Sequence, residues 1–157
     1  ALPIWMNAAP FGYRTWESLT LEAGTPLFDT ELEGEIPNVV GVRNALDFEK
    51  GCYVGQEVVS RVENRGQPSR RLVGLTVEAV PEAGAAVFAG DSAVGEITRA
   101  VDSPTREEPL ALGLVDYDTA GEVTVRVDGD ERDAAIVDLP FVEGSDLSAR
   151  LPTYPDA

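Results

Sequence analysis

Residues 50–57 read Lys-Gly-Cys-Tyr-Val-Gly-Gln-Glu and contain the only cysteine of the chain, Cys52, and its only lysine, Lys50. The two glycines let the backbone approach a ligand closely and adopt positive φ angles. A helix is predicted to begin near Gly55, where its N-terminus offers free N–H groups and a positive partial charge. A thiol beside that helix end and a lysine is expected to be nucleophilic. A strand-to-helix turn with an inert, buried cysteine is the alternative.

Arginines at positions 61, 65, 70 and 71 follow this octet in a chain that has 28 acidic residues and 12 basic ones. Together with Lys50 they form a local positive cluster that could hold a carboxylate or a phosphate. A cluster of interdomain salt bridges explains the same arginines equally well. Within the predicted helix, Gln56 offers both a donor and an acceptor, and Glu57 and Arg61 form a favourable i,i+4 pair.

Glu22 is a second candidate, because it lies near the end of another predicted helix, where the helix dipole disfavours an acid. Trp16 and Leu19 share one face of this helix, which is predicted to have Thr15 as its N-cap and to stop at Gly24. An acid at this place is better tolerated if a ligand rich in hydrogen-bond donors binds it. A glutamate exposed to solvent is the simpler interpretation.

Composition excludes several classes of function. The net charge of −16 disfavours binding to a phosphate backbone, and carboxylates in excess over a single lysine are typical of proteins from salt-loving organisms. Without histidine, Ser-His-Asp and Cys-His triads and most zinc sites are excluded, so no metal site is predicted. A single cysteine excludes an intrachain disulfide.

Targeting signals are not recognisable in the chain. No apolar run approaches the ~20 residues that a membrane helix needs, and the first residues lack the basic and apolar regions of a secretory signal. A cytoplasmic location is therefore expected. The chain also begins without an initiator methionine, as expected of a fragment or a processed product.

The elements that must position these residues change character near residue 69. Two helices are predicted before that point, and residues 39–46 form either a strand or a short helix. Six short strands are predicted after it, at 72–79, 85–89, 94–101, 110–117, 122–127 and 132–139. Turns at 90–91 and 128–130 favour an antiparallel arrangement, and six short strands over so short a span predict a closed antiparallel β-barrel. The predicted domains are residues 1–68, an α+β segment, and residues 69–157, a barrel with an extended tail.

The octet resembles the K-G-C-Y-x-G-Q-E signature of the YgfZ family, whose members are folate-binding proteins related to the T-protein, the aminomethyltransferase of the glycine cleavage system. Residues 16–27 resemble the W-E-x-L-R-x-E-A-G-x-P segment of these proteins, although Thr20 replaces the usual arginine. Residues 55–75 are similar to the junction into their C-terminal barrel. Family members are longer chains, so the resemblance implies a missing N-terminal domain.

This resemblance implies the fold, the ligand and the site. The α+β segment would be the end of a folate-binding middle domain, followed by a barrel of the aminomethyltransferase C-terminal type. Tetrahydrofolate or a derivative would bind in a channel between domains. The carboxylate of Glu22 would bind the amino and ring N–H groups of the pterin, and Cys52 would be the reactive thiol, with Lys50 beside it. The further residues predicted to contact the folate are Trp16, Tyr53, Gln56 and Arg61.

Three functions follow from these observations. The first is a folate-binding protein of the YgfZ branch that maintains iron–sulfur enzymes, including those that modify tRNA. The second is a tetrahydrofolate-dependent aminomethyltransferase whose catalytic acid lies in the missing N-terminal domain. The third is a non-catalytic interaction barrel. The partners implied are folate, the missing N-terminal domain and, for the first function, iron–sulfur enzymes, with no membrane and no direct nucleic-acid contact.

Overall fold

The computed structural model describes residues 10–42, 45–47 and 49–143, without the side chain of Arg65. In this part of the chain the helical segments are α1 (Tyr13–Glu22), a π-helix (Phe28–Leu32), α2 (Pro37–Val40) and α3 (Gln56–Arg65). The strands that follow are β1 (Arg70–Val77), β2 (Ala86–Ala89), β3 (Ser92–Ser103), β4 (Glu108–Asp116), β5 (Glu122–Val127) and β6 (Asp130–Val137). The predicted order of a helical segment and then short strands is confirmed. The predicted extended tail lies outside the described residues from position 144 onward.

The strands form a closed barrel in the order β1-β4-β3-β2-β5-β6, and the antiparallel pairing of β1 with β6 closes it. The predicted antiparallel barrel is therefore confirmed. Its clearest sequence signal is the β5–β6 hairpin, in which Val127 pairs with Asp130. The two residues between them, Asp128 and Gly129, have φ angles of 52° and 91°. Two left-handed residues in a two-residue turn match the right-handed twist of the strands that they join.

Apolar side chains pack in two layers, because β1 and β4 are buried on both faces. Alternate residues of these strands point to opposite sides of the sheet. The inner layer fills the barrel and includes Val73, Leu75, Val87, Ile97, Ala111, Val115 and Val125. The outer layer joins the barrel to the helices and consists of Leu21, Val39, Val40, Leu72, Leu110, Leu112, Leu114 and Phe141.

Helix α1 stops at Gly24, as predicted, but it does not start at Thr15. The N–H of Thr25 donates to the carbonyl of Thr20 and that of Gly24 to the carbonyl of Leu21, both at 2.8 Å, and Gly24 has a φ of 62°. This pattern is a Schellman motif. The predicted N-cap is wrong, because the carbonyl of Gly12 already accepts a hydrogen bond from the N–H of Trp16, so the helix begins before Thr15.

The segment between α1 and the octet is more ordered than its sequence indicates. Residues 25–38 have the acidic sequence, with breaks at glycine and proline, that is typical of a loop, yet they contain the π-helix and the start of α2. Of residues 39–46, for which a strand and a short helix are the alternatives, 39 and 40 are the last two residues of α2, whereas 43 and 44 lie outside the described residues. Pro37 occupies the first turn of α2 and Gly41, with a φ of 71°, ends it. Because α2 contributes to the outer apolar layer, the helical segment and the barrel share a core, and the division at residue 68 stays a prediction.

None of the described helices has the length and apolar content that a membrane span requires.

Candidate functional site

The turn before α3 carries the cysteine of the octet. Helix α3 begins at Gln56, directly after Gly55, whose φ of 88° requires a glycine. The N–H of Tyr53 donates to the side-chain oxygen of Gln56 at 3.2 Å, and the N–H of Gln56 donates back to the carbonyl of Tyr53 at 3.3 Å. These two bonds close the turn and leave Cys52 exposed. The alternative of a buried cysteine is therefore wrong, whereas the reactivity of the thiol stays a prediction.

The outer face of α3 forms an open, polar groove of about 610 Å³, lined by Gln56, Glu57, Ser60, Arg61 and Asn64. Arg61 donates to the carboxylate of Glu57 at 2.8 Å, which confirms the expected i,i+4 pair. Both side chains are exposed, so the pair contributes only about 0.3–0.5 kcal/mol. Arg61 is thus held by a neighbour in its own helix, and Gln56 is held by Tyr53 in the turn before that helix.

Glu22 is buried against the barrel, with only 3% of its surface exposed. One carboxylate oxygen accepts hydrogen bonds from the hydroxyl of Ser103 at 2.5 Å and from the N–H of Thr105 at 3.2 Å. The other accepts a bond from the hydroxyl of Thr105 at 2.9 Å. The alternative of a solvent-exposed glutamate is therefore wrong. The carboxylate joins the end of α1 to the turn between β3 and β4.

The electrostatics of Glu22 favour its ionised form. Burial raises the pKa of this carboxyl, but the hydrogen bonds from Ser103 and Thr105 more than offset that effect, so its pKa lies below the ordinary value of 4.5. The same bonds occupy both oxygens. A pterin could bind to this carboxylate only by sharing or replacing the contacts from Ser103 and Thr105, so the pterin-binding role of Glu22 stays a prediction.

A second buried contact between the helical segment and the barrel centres on Arg99 of β3. Its guanidinium donates to the carboxylate of Glu31 at 2.8 Å, to the hydroxyl of Thr20 at 3.0 Å and to the carbonyl of Thr25 at 2.8 Å. The exposed fractions of the two charged side chains are 10% for Arg99 and 0% for Glu31. One arginine therefore holds α1, the residues after it and the π-helix on the barrel.

Glu31 has further donors that explain how a carboxylate can be fully buried in the π-helix. Its second oxygen accepts hydrogen bonds from the N–H of Leu27 and the hydroxyl of Thr30, both at 2.7 Å. Together with the bond from Arg99, these contacts satisfy both oxygens of the carboxylate, as a buried charge requires.

Sequence reasoning missed this network. The available signal was an arginine inside an apolar strand, since a buried arginine needs an acidic partner. The outward direction of Arg99 could not be recognised because a β-bulge lies between Ile97 and Arg99. The bulge breaks the alternation that would otherwise place both residues on one face of the strand. Ile97 consequently packs inside the barrel, whereas Arg99 contacts the helical segment outside it.

Two arginines of the cluster that follows the octet, Arg70 and Arg71, make structural contacts. Arg70 pairs with Glu35 at 2.6 Å, between the barrel and the segment after the π-helix. Arg71 donates to the carbonyls of Tyr117 and Thr119 at 2.9 and 2.7 Å. Arg70 thus joins the barrel to the helical segment, and Arg71 forms contacts within the barrel. These contacts fit a structural role for the two arginines better than an anion-binding site.

The residues predicted to contact folate lie in different places. Trp16 lines a cavity of about 460 Å³ on α1, whereas Gln56 and Arg61 line the groove on α3. Tyr53 lies in the turn before α3, and Glu22 is engaged by the barrel. Because they line no common surface in the cavities that we describe, these side chains fit a folate only in part. No reaction step is therefore assigned to a folate.

Comparison with known proteins identifies the class of the barrel. Residues 70–143 match the family described as the glycine cleavage T-protein C-terminal barrel domain. The six-stranded barrel described above is therefore a domain of this class. The similarity is not limited to the barrel, because aligned relatives also cover the helical segment.

Two aminomethyltransferases are similar to this chain over most of its length. The protein from Streptomyces coelicolor is 37% identical over 84% of the chain, and that from Cutibacterium acnes is 38% identical over 88%. The crystal structure of aminomethyltransferase T of the glycine cleavage system from Bartonella henselae covers 81% of the chain, with 28% identity and a TM-score of 0.70. The chain spans 38–39% of the length of these proteins. The chain therefore belongs to the family of the glycine cleavage T-protein. The same findings do not single out the YgfZ branch.

Proposed function

We propose that this chain is the C-terminal part of a tetrahydrofolate-dependent aminomethyltransferase-type protein. The observation that carries the proposal is the extent of the similarity, which covers 84–88% of the chain and thus both the helical segment and the barrel. Because the chain spans less than half of those relatives, the proposed activity is that of the complete protein. This proposal takes the second of the three functions considered above as the main one.

The described residues would contribute rigidity and one wall of the site. Arg99 and Glu22 hold the helical segment on the barrel through buried, charge-assisted hydrogen bonds, which are stronger than neutral ones. A segment held in this way presents its remaining polar groups in a fixed geometry, as a binding site requires. The catalytic acid and the other walls of the folate channel would lie in the preceding domain.

Titration of the complete protein with tetrahydrofolate in a calorimeter tests this proposal. The protein is expected to bind, and Glu22→Gln should weaken binding by about 1.5–3 kcal/mol, the contribution of a hydrogen bond to a charged group, or about ten- to hundredfold in Kd. Ser103→Ala is the matched control, because it removes a barrel contact of Glu22 and keeps the carboxylate. Equal affinities of the wild type and Glu22→Gln would limit Glu22 to a structural role. A folded wild-type protein that binds no tetrahydrofolate would refute the proposed function. The non-catalytic interaction barrel would then be the remaining alternative.

A second candidate function is the YgfZ branch, and the exposure of Cys52 in the turn before α3 favours it. A thiol that served only packing would be buried in that turn. In a strain that lacks the gene, Cys52→Ala should then fail to restore iron–sulfur enzyme activity while the purified variant still binds folate. Full complementation by Cys52→Ala would argue against this branch, and Cys52→Ser would show whether a hydroxyl can substitute for the thiol.

A further inference from the structure

The seam between strands β2 and β5 has the shortest pairing in the barrel. Strand β5 pairs with β6 along its whole length, from Glu122 to Val127. It pairs with β2 only at Val87–Val125 and at Phe88–Thr124. The edges of β2 and β5 therefore diverge beyond a contact of two residues on each strand.

A concave region of about 430 Å³ lies where the two strands diverge. It is lined by Val80 and residues 82–86, which form the loop before β2 and its first residue, and by residues 126–129, which form the end of β5 and the hairpin turn. We call this region the β2–β5 cleft. Half of its lining residues are alanine or glycine, so the backbone is within reach of a ligand that lies in the cleft.

The first residue of β2, Ala86, directs its backbone groups toward the cleft. The N–H of Ile97 donates to the carbonyl of Ala85 at 2.8 Å, so this carbonyl points toward β3. Successive residues of a strand direct their backbone groups to opposite edges, so those of Ala86 point toward β5. Ala86 would lie opposite Arg126 in the register of the seam, but the pairing of the described strands stops before this position. A strand edge at which pairing stops is a template for another extended chain.

A stacked pair of side chains fixes the shape of the cleft. Val125 and Val127 belong to the inner apolar layer, so Arg126 between them points outward. Its guanidinium lies over the ring of Phe88 on β2, with Cζ 4.8 Å from the ring centroid. This cation–π contact crosses the seam beside the cleft. It holds the two strands together where the cleft begins, so the cleft is already formed before a ligand binds.

The lining of the cleft selects the kind of partner. Val80 is 39% exposed and lies beside the alanines of the cleft, so small apolar side chains fit there. Glu82 and Asp128 are the acids of the lining, and its one base, Arg126, already lies over Phe88. Side chains of an extended segment point alternately to opposite faces. We propose that the β2–β5 cleft binds an extended segment of a partner protein in which basic residues alternate with small apolar ones.

The charge of the chain favours such a partner over a second copy of the chain. A net charge of −16 attracts a basic segment and raises its rate of association, whereas two copies repel each other. The cleft also lies on the opposite side of the barrel from the helical segment, because α1 and α2 pack on β1, β3 and β4. The proposal therefore does not depend on the proposed folate-dependent activity.

Hydrogen exchange measured by mass spectrometry on the full chain tests the proposal. The probe is the blocked peptide Val-Lys-Val-Lys-Val-Lys, and the control is the same peptide with N-methyl groups on alternate amides, which keeps the charge and loses donors for strand pairing. Salt is held at a concentration that screens distant charges. With the probe at about ten times its Kd, exchange at residues 83–89 and 124–129 should slow by about tenfold.

The control peptide should slow exchange in these two segments by less than about twofold. Equal effects of the two peptides would overturn the proposal, because charge alone would then explain the binding. Exchange that the probe leaves unchanged up to its solubility limit would also overturn it. So would slowed exchange around residues 108, 122 and 133 instead, because they line an acidic groove of the barrel outside the cleft.

A charge variant tests the role of the acids in the cleft. Asp128 has a φ of 52°, a conformation that asparagine also tolerates, so Asp128→Asn removes the charge and keeps the turn. The variant should bind a fluorescent form of the probe about threefold more weakly, as expected for the loss of one exposed ion pair. Glu107→Gln is the matched control, because Glu107 is an exposed acid with a φ of 57° in the turn between β3 and β4. Equal Kd values for Asp128→Asn and Glu107→Gln in fluorescence anisotropy would overturn the proposal.

Discussion

Replacement of Arg99 with methionine removes the guanidinium that joins β3 to the helical segment and keeps most of its apolar stem. The wild-type side chain makes three hydrogen bonds, to Glu31, Thr20 and Thr25. In Arg99→Met the carboxylate of Glu31 keeps its bonds from the N–H of Leu27 and the hydroxyl of Thr30 but loses its counter-ion. The variant therefore leaves an uncompensated charge in a site where Glu31 is fully buried.

The expected loss of unfolding free energy is about 3–5 kcal/mol, the cost of removing one partner of a buried ion pair. In the double variant Arg99→Met/Glu31→Gln the uncompensated charge is gone, so part of the loss should be regained. The coupling energy between the two positions should be about 2–3 kcal/mol. Arg61→Met breaks the exposed pair with Glu57 and should cost no more than about 0.5 kcal/mol.

Urea unfolding followed by circular dichroism measures these differences. Urea is preferable to guanidinium chloride because it adds no ions that would screen so acidic a chain, and the salt concentration is held constant for all variants. Coincident transitions in the far and near ultraviolet establish two-state behaviour, without which the free energies are undefined. A loss below about 1 kcal/mol for Arg99→Met, or the same loss in Arg61→Met, would refute the claim that this network fixes the helical segment on the barrel.

Three further predictions concern Glu22, Gly74 and Cys52. Because the pKa of Glu22 is lowered in the folded state, the stabilising contribution of its carboxylate is present above the ordinary glutamate range and is lost as the pH falls through the lowered pKa. Glu22→Gln should therefore flatten the acid side of the curve of unfolding free energy against pH, measured by urea unfolding. An unchanged curve would contradict the lowered pKa. Gly74→Ala should lower the unfolding free energy by about 1–3 kcal/mol, because the new Cβ would lie 2.7 Å from the ring of Phe141 and 2.8 Å from the side chain of Leu139. A melting temperature equal to that of the wild type would contradict this prediction and show that the two side chains can move aside at no cost. Cys52 should react fully with a thiol reagent in the native protein, since it is exposed, and a thiol that reacts only after unfolding would contradict its placement.

Much of the barrel was predictable because its signals are local. The Asp128-Gly129 turn and the alternation in the flanking strands predict the β5–β6 hairpin and its register without any knowledge of the remaining fold. Helix α1 was harder to predict. Its periodicity identified a helix and its stop at Gly24, but the stripe that contains Trp16 and Leu19 was not the side that packs on the barrel. Which side of a helix is buried depends on tertiary partners, and sequence periodicity does not identify them.

The candidate site was predictable in its residue types and not in its contacts. A turn at Cys52 next to a helix start follows from the glycines around it, because left-handed Gly55 favours a turn there. The exposure of the thiol does not follow from these residues, since a turn of this kind can equally bury a cysteine. The engagement of Glu22 by Ser103 depends on residues 81 positions apart in the chain, a pairing for which the sequence carries no local signal. The β-bulge that turns Arg99 outward is likewise invisible in a single sequence. Long-range polar contacts of this kind form only once the strands have paired.

The most direct test of the central claim is the formation of methylene-tetrahydrofolate by the complete protein from an aminomethyl group on a carrier protein. We expect product that requires both tetrahydrofolate and the loaded carrier, and we expect Arg99→Met to form it more slowly at temperatures where this variant stays folded. A complete, folded protein that binds tetrahydrofolate yet forms no product would contradict the transferase assignment and favour the YgfZ branch.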